Sequence, residues 1–280
     1  MTSDLPAAIA YCGLPPVPQD LWMRWNFDPP LVLVLFLVAA AYGWGVRRSP
    51  AAARPTGKQQ AAFSAGWAVT VLCFVSPLCA LSVALFSARV AQHMLLMLVA
   101  APLLAYGRSG SMLRPLEPLA GRLSGRLWSG SGLPVTGVAF AVLLWFWHAP
   151  QPYDASLRND FLYWTMHVSL LGAGVLFWAA QIGALEGGRG IGVAAAGLAT
   201  TIQMSLLGAL LTFASSPLFL SHLGTAFPWG LTPIEDQQLG GLVMWVPGGL
   251  VFTASSLAGL MALLMPREDV SARGQASGIP

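Results

Sequence analysis

The chain has 280 residues, of which 14 are Lys or Arg and 11 are Asp or Glu, so that only 9% are charged. A soluble globular domain carries about 25% charged residues. With 56% hydrophobic residues and a mean hydropathy of +0.66, the chain has more apolar surface than a soluble fold of this size can bury. The composition excludes a soluble enzyme, a nucleic-acid-binding protein with a basic face and a disordered chain, and it predicts an integral membrane protein.

Seven apolar stretches approach or exceed the length of about 20 residues that a helix needs to cross a bilayer. In chain order they cover residues 30–46, 62–82, 90–107, 134–150, 162–182, 193–214 and 240–265. We therefore predict an all-α polytopic membrane protein with seven transmembrane helices. An outer N-terminal segment (1–29) would precede the transmembrane domain (30–265), and a cytoplasmic tail (266–280) would follow it. Pro77, Pro102 and Pro247 lie inside spans and are expected to bend or unwind them locally.

The positions of the Lys and Arg residues predict the orientation, because cytoplasmic loops carry an excess of positive charge. With the N-terminus outside, only three cations fall on the outer side: Arg24, Arg89 and Arg158. The others fall on the inner side: Arg47, Arg48, Arg54, Lys58, Arg108, Arg114, Arg122, Arg126, Arg189, Arg267 and Arg273. We predict an outer N-terminus and a cytoplasmic C-terminus.

The three cysteines are too few for a disulfide framework and form no CxxC pair: Cys12, Cys73 and Cys79. Cys73 and Cys79 lie in an apolar stretch, where a free cysteine behaves as a small buried hydrophobic residue. The sequence therefore predicts neither a disulfide framework nor a cysteine metal site.

All four histidines fall toward the outer face in this topology. His93 begins the third span, His148 ends the fourth, and His167 lies about five residues, or roughly 8 Å, inside the fifth. His222 lies in the loop before the seventh span, where we expect it to be exposed to water. Ionisable groups inside a bilayer are costly to retain, so His93 and His167 are candidates for a functional site.

Methionines accompany these histidines. Met97 follows His93 by one helical turn, and Met244 shares a stripe of the seventh span with Asp236. Imidazole and thioether ligands together suit copper, and the thioether favours the cuprous state. We therefore predict an outward-facing copper site with these ligands: His93, His148 and His167, Met97 or Met244, and Asp236 as an alternative ligand. Packing alone would also account for the methionines, and an interfacial position would account for His148, which follows Trp145 and Trp147.

Several motifs occur in a characteristic order. They are Asp28-Pro29, Phe86–Met94 (FSARVAQHM), Ala101–Leu104 (APLL), Trp147–Pro150 (WHAP), Gly230–Pro233 (GLTP), Asp236–Gly241 (DQQLGG) and Met244–Gly248 (MWVPG). From Trp25 to about Met265 the chain resembles the CtaG-like assembly factors of caa-type cytochrome c oxidases, which are seven-span proteins of bacterial membranes.

The resemblance implies a non-catalytic protein of the bacterial cytoplasmic (inner) membrane that helps to assemble a haem–copper oxidase. It would hold copper transiently and help it to reach the buried copper centre of the oxidase. The implied partners are an oxidase subunit, a periplasmic copper chaperone and membrane lipid, with no nucleic acid. The family pattern often has a histidine four residues before His93, where this chain has Arg89, which cannot bind a metal. The chain therefore either draws its ligands from different helices or does not bind copper directly.

Four residues are candidates for docking an oxidase subunit or a copper chaperone: Arg89, Arg158, Gln237 and Trp245. Three other classes of protein stay open. The first is a metal-free docking scaffold for oxidase maturation. The second is a b-type cytochrome with His93 and His167 as axial haem ligands. The third is a copper or proton transporter, which would need polar groups through the depth of the membrane.

Overall fold

The computed structural model of the protein describes residues 10–110 and 130–264, and within these ranges all regular secondary structure is helical. The main helices are α1 (Pro29–Arg48), α2 (Gly57–Val75), α3 (Leu78–Ala84), α4 (Phe86–Tyr106), α5 (Leu133–Trp147), α6 (Pro150–Arg158), α7 (Asp160–Glu186), α8 (Gly190–Thr212) and α9 (Pro233–Leu264). Short 3-10 turns precede α1 and lie between α8 and α9.

Five of these helices, α1, α4, α7, α8 and α9, are long and apolar enough to cross a membrane. Two further spans result if each of the bent pairs α2–α3 and α5–α6 is counted as one. Large apolar side chains on the outward faces are exposed, among them Val34, Val138 and Leu250, as expected for surfaces that contact lipid. The prediction of an all-helical membrane protein is confirmed, and the described residues contain between five and seven candidate spans. The predicted tail (266–280) and the loop cations Arg114, Arg122 and Arg126 lie outside the described residues.

Prolines account for the breaks in the helices. The axis bends by 51° between α2 and α3, where Pro77 directly precedes α3, and by 73° between α5 and α6, where Ala149 is extended before Pro150. A residue before proline is driven out of the helical region, and proline cannot donate a backbone hydrogen bond. Pro102 instead follows a π-helical turn, Leu95–Ala100, inside a continuous α4. The bend at Pro150 leaves His148 at the end of α5, facing the interior.

Helices α8 and α9 form the closest pair in the bundle, and glycine allows their close approach. A Cβ atom on Gly197 would lie 2.8 Å from the backbone nitrogen of Ser256, and one on Gly208 would lie 2.8 Å from Cβ of Trp245. Small residues let membrane helices pack backbone against backbone, which strengthens dispersion contacts. The α8–α9 pair is thus closely packed, and α4 packs against α9.

A disulfide joins Cys12 in the N-terminal segment to Cys79 in α3, with 5.5 Å between the Cα atoms. The hydroxyl of Tyr163 lies 3.3 Å from Sγ of Cys12, and the amide of Asn26 lies 3.7 Å from Sγ of Cys79. The prediction that Cys79 is a free cysteine is wrong, because its partner lies 67 residues away in a polar segment and only the tertiary structure brings the two together. Cys73 is free and buried, as predicted.

Replacing both Cys12 and Cys79 by serine is expected to lower the free energy of unfolding by about 4 kcal/mol, because the bond closes a loop of 67 residues in the unfolded chain. The midpoint of unfolding in detergent measures the effect, with Cys73→Ser as the control. Equal midpoints for the wild-type protein and the double variant would show that the disulfide does not stabilise the fold.

Candidate functional site

Three histidines from three different helices meet inside the bundle; we refer to His93, His148 and His167 as the histidine trio. His93 lies on α4, His148 directly follows α5, and His167 lies on α7. The ring centre of His93 lies 5.7 Å from that of His148 and 5.1 Å from that of His167, and the rings are nearly perpendicular in both pairs. All three side chains are buried. The structure therefore brings together the nitrogen ligands that the sequence predicted from separate spans.

Backbone carbonyls orient two of the three rings. Nδ1 of His148 donates to the carbonyl of Leu144 at 2.8 Å, and Nδ1 of His167 donates to the carbonyl of Tyr163 at 2.9 Å. Since a carbonyl only accepts, each Nδ1 carries the proton, and the lone pair of each ring is on Nε2. The same arrangement orients histidines that bind metals. His148 and His167 thus each present a free nitrogen lone pair.

Unsatisfied polar atoms concentrate at this place. Within residues 10–110 and 130–264, nine buried side-chain nitrogen or oxygen atoms have no hydrogen-bond partner, and six of them belong to Arg89 and the histidine trio. They are Nε and Nη1 of Arg89, both ring nitrogens of His93, and Nε2 of His148 and His167. A buried polar atom without a partner costs free energy, so such a cluster indicates a site that a ligand completes.

The trio does not form a closed metal site in this conformation. Over the described part of the chain, no group of three or more His, Cys, Asp or Glu side chains is arranged to hold a metal ion. Neither ring nitrogen of His93 has a hydrogen bond, although the side chain is buried. With their ring centres 5.1 Å apart, His93 and His167 would have to move apart to become the two axial ligands of one haem iron.

The predicted sulfur ligands, Met97 and Met244, are both fully buried. They belong to one hydrophobic cluster with Trp147 and Met166, which are the chain neighbours of His148 and His167. Met166 was not among the predicted ligands, although it precedes His167 in sequence. Its sulfur lies 4.0 Å from Nη2 of Arg89, at the edge of the trio.

Arg89 lies inside the bundle and is completely buried. Its Nη2 donates to the hydroxyl of Ser156 at 3.1 Å, and its guanidinium carbon lies 5.4 Å from the ring centres of both Tyr153 and Tyr163. Arg89 is therefore not part of the surface on which we predicted it to dock a partner. The sequence offered one signal of this position, because Arg89 precedes His93 by one helical turn.

Asp236 and Gln237, at the start of α9, form hydrogen bonds that join other elements to this helix. Asp236 accepts from the backbone nitrogens of Phe86 and Ser87 at 2.7 and 3.1 Å, and from the hydroxyl of Ser87 at 2.5 Å. Gln237 accepts from the backbone of Leu218 and donates to the carbonyl of Leu211. Both side chains are buried. The predicted ligand Asp236 thus caps α4, and the predicted docking residue Gln237 ties α8 and the following loop to α9.

The other two predicted docking residues reach the surface to different extents. Arg158, at the end of α6, is exposed. Trp245 is half-buried, with its ring centre 6.1 Å from that of Phe213 and its Cβ atom against Gly208 of α8.

His222 is buried, so the expectation that water surrounds it is wrong. Its Nε2 lies 2.8 Å from the hydroxyl of Tyr153, and its Nδ1 lies 3.4 Å from the carbonyl of Ala84. Burial lowers its pKa to about 4, which keeps the ring neutral at pH 7. The loop folds back over the bundle, which the sequence of that loop did not reveal. His222 therefore lies outside the trio and has its own hydrogen-bond partners.

A cavity of about 670 Å³ lies between α1, α2 and α7, and His167 forms part of its wall. Most of its lining is apolar, including Val38 and Trp67. Polar groups line it as well, among them Tyr11 and Asp28, which are hydrogen-bonded at 2.5 Å, and Asp160 at the start of α7. The cavity is partly open and offers a path from the end of the bundle that carries Asp28 and Asp160 to one member of the trio.

Comparison with known protein families finds one match. The family described as cytochrome c oxidase caa3 assembly factor (Caa3_CtaG) matches residues 40–265 of the chain. No curated protein and no solved structure matches the chain.

Proposed function

Because the chain belongs to the cytochrome c oxidase caa3 assembly factors, we propose that it binds copper transiently at the histidine trio and passes it to the oxidase. One observation carries the proposal: three buried imidazoles from three helices converge, and their free nitrogens lack hydrogen-bond partners. Arg89 removes the expected histidine pair on a single helix, and the trio supplies ligands from different helices instead. The role is delivery of an ion and not catalysis.

The chemistry of the site favours the cuprous ion. Neutral imidazoles and a thioether from Met97 or Met244 are ligands that suit Cu(I), and a monovalent ion is less costly to bury than a divalent one. Two rings oriented by backbone carbonyls and one ring without hydrogen bonds, His93, give a site that closes on the ion and opens again. An exchangeable site is what a delivery protein requires, because it must release its ion to the acceptor.

We further propose that the site faces the outer side of a bacterial cytoplasmic membrane. The Cys12–Cys79 disulfide supports this orientation, because disulfides persist in oxidising compartments and are rare in the cytoplasm. Arg158 is exposed and is the last residue of α6, which follows the trio member His148 in the chain. We propose that Arg158, with the accessible edge of Trp245, docks an acidic surface of an oxidase subunit or of a periplasmic copper chaperone.

Metal analysis of the purified protein tests the copper proposal. After loading with cuprous ion and removal of excess metal, we expect about one copper per chain. The His93→Ala/His167→Ala variant should retain none. His222→Gln is the matched control, since it removes a buried histidine outside the trio. Equal copper content in the double variant and the wild-type protein would overturn the proposal.

A metal-free docking scaffold is the second candidate. It is favoured by the observation that the described residues hold no preformed group of three ligands. Absence of copper from the loaded wild-type protein, together with stable binding of an oxidase subunit, would establish this alternative.

Filling the cavity beside His167 is expected to slow copper loading several-fold without changing the final stoichiometry. A Val38→Trp side chain would occupy space along the path to His167. The adjacent, exposed residue gives the control variant, Leu37→Trp. Stopped-flow transfer of copper from a chromogenic chelator measures the rate. Equal rates for both variants would show that copper reaches the trio by another path.

A further inference from the structure

Arg89 is a buried cation with no anionic partner among the described residues. Its side chain is completely inaccessible to solvent, and the ion pair found among the described residues joins Arg24 to Asp20, far from Arg89 in the sequence. Nη2 binds the hydroxyl of Ser156, whereas the N–H groups of Nε and Nη1 reach no acceptor. An unpaired charge is among the costliest groups to bury, and it is normally compensated by an opposite charge.

The surroundings of Arg89 stabilise the cation but do not satisfy its donors. The ring faces of Tyr153 and Tyr163 lie on the guanidinium, each with its centre 5.4 Å from Cζ. These contacts attract a cation electrostatically, but they accept no N–H in the plane of the guanidinium. Several N–H donors in a rigid fork, on a buried side chain, have the geometry that recognises anions.

The guanidinium and the histidine trio are connected through α4 and through Tyr163. Arg89 and His93 lie one turn apart on α4 and so share a face. The Tyr163 ring, which contacts Arg89, has its centre 4.3 Å from that of His167, and the Tyr163 carbonyl orients this histidine. A cuprous ion bound to the neutral trio would therefore add a second positive charge beside Arg89, and no acidic side chain in the described part of the chain pairs with Arg89. Repulsion in a low-dielectric space opposes such a pair.

We propose that Arg89 and the histidine trio together bind one small monovalent anion, of the halide class, and that this anion accompanies the cuprous ion into the site. The anion accepts hydrogen bonds from Nε and Nη1 of Arg89 and neutralises the charge of the bound metal. Anion binding by Arg89 stands on the geometry alone, whereas its coupling to copper rests on the proposed function. The substitution of Arg for a histidine would thus change an all-histidine metal anchor into a site for an ion pair.

The coupling between anion and copper is tested by the cuprous affinity of the detergent-solubilised protein. The affinity is measured against a chelator that sets the free copper concentration. We expect affinity about tenfold higher in chloride than in gluconate at equal ionic strength, because gluconate is too large for the site. Arg89→Gln should abolish the difference, Arg89→Lys should retain part of it, and the exposed Arg47→Gln should leave it unchanged. Copper binding that is indifferent to chloride in the wild-type protein would overturn the coupling while the proposed function stands.

Chloride binding without copper separates the two proposals. The ³⁵Cl nuclear magnetic resonance line of chloride should broaden in the presence of the wild-type and Arg47→Gln proteins, and Arg89→Gln should remove this broadening. If the protein binds no copper in either salt, the proposed function fails. The width of the ³⁵Cl resonance alone then tests whether Arg89 binds an anion. Equal broadening by the wild-type and Arg89→Gln proteins would overturn the anion site. Arg89→Lys keeps the charge and serves as the folded reference if Arg89→Gln is unstable.

Discussion

Cells that carry the His93→Ala/His167→Ala variant in place of this chain are expected to assemble an oxidase with at least about tenfold less copper per haem. Loss of residues that merely orient metal ligands lowers metal affinity about 10- to 100-fold, and this variant removes two of the three proposed nitrogen ligands themselves. The effect should be specific to copper, because the histidine trio is buried and contributes nothing to the surface that meets the oxidase.

Copper and haem content of the purified oxidase, with subunit amounts from immunoblots, measures this effect. His222→Gln is the control for loss of a buried histidine, since His222 binds Tyr153 and not the trio. The metal-free scaffold leads to a different result, in which the variant leaves both the amount of oxidase and its copper-to-haem ratio normal, because the buried trio takes no part in docking. A fully metallated oxidase in normal amounts would therefore contradict copper delivery by the trio and support the scaffold.

The helical membrane fold and the convergence of three histidines could be predicted from the sequence, because both depend on local patterns. The length of apolar stretches identifies candidate spanning helices, and loop charges predict their orientation. From that topology, His93, His148 and His167 fall at similar depth, and the structure brings them together. The breaks next to Pro77 and Pro150 follow from the restrictions that proline imposes on its neighbours.

Tertiary contacts between distant segments could not be predicted in the same way. Cys12 and Cys79 form a disulfide across 67 residues, and the loop containing His222 folds back onto Tyr153. Arg89 is drawn inside because aromatic rings from α6 and α7 cover it, although its position at a span end predicted a surface residue. Neither hydrophobic periodicity nor the distribution of charge shows which helices pack against each other. The sequence therefore predicted the wrong surroundings for Cys79, His222 and Arg89.

Asp236 is expected to be the residue whose loss most destabilises the part of the fold that carries the site. Asp236→Ala should lower the free energy of unfolding by about 4 kcal/mol, because it leaves two buried backbone N–H groups and a hydroxyl without acceptors. The carboxylate lies at the N-terminus of α4, where free N–H groups and the helix dipole favour a negative charge. Asp236→Asn keeps the shape but not the charge, and it should cost about 2 kcal/mol.

Asp236→Asn should also weaken copper binding, although Asp236 is not one of the proposed copper ligands. Arg89 and His93 lie in the first turns of α4, so freeing this end of the helix shifts both relative to His148 and His167. Unfolding midpoints in detergent and cuprous affinities of Asp236→Asn measure the two effects, with the exposed neighbour changed in Glu235→Gln as the control. X-ray absorption separates a positioning residue from a ligand: the nitrogen and sulfur coordination of bound copper should be unchanged in Asp236→Asn. Loss of an oxygen ligand from the wild-type spectrum would instead show that Asp236 binds the metal directly.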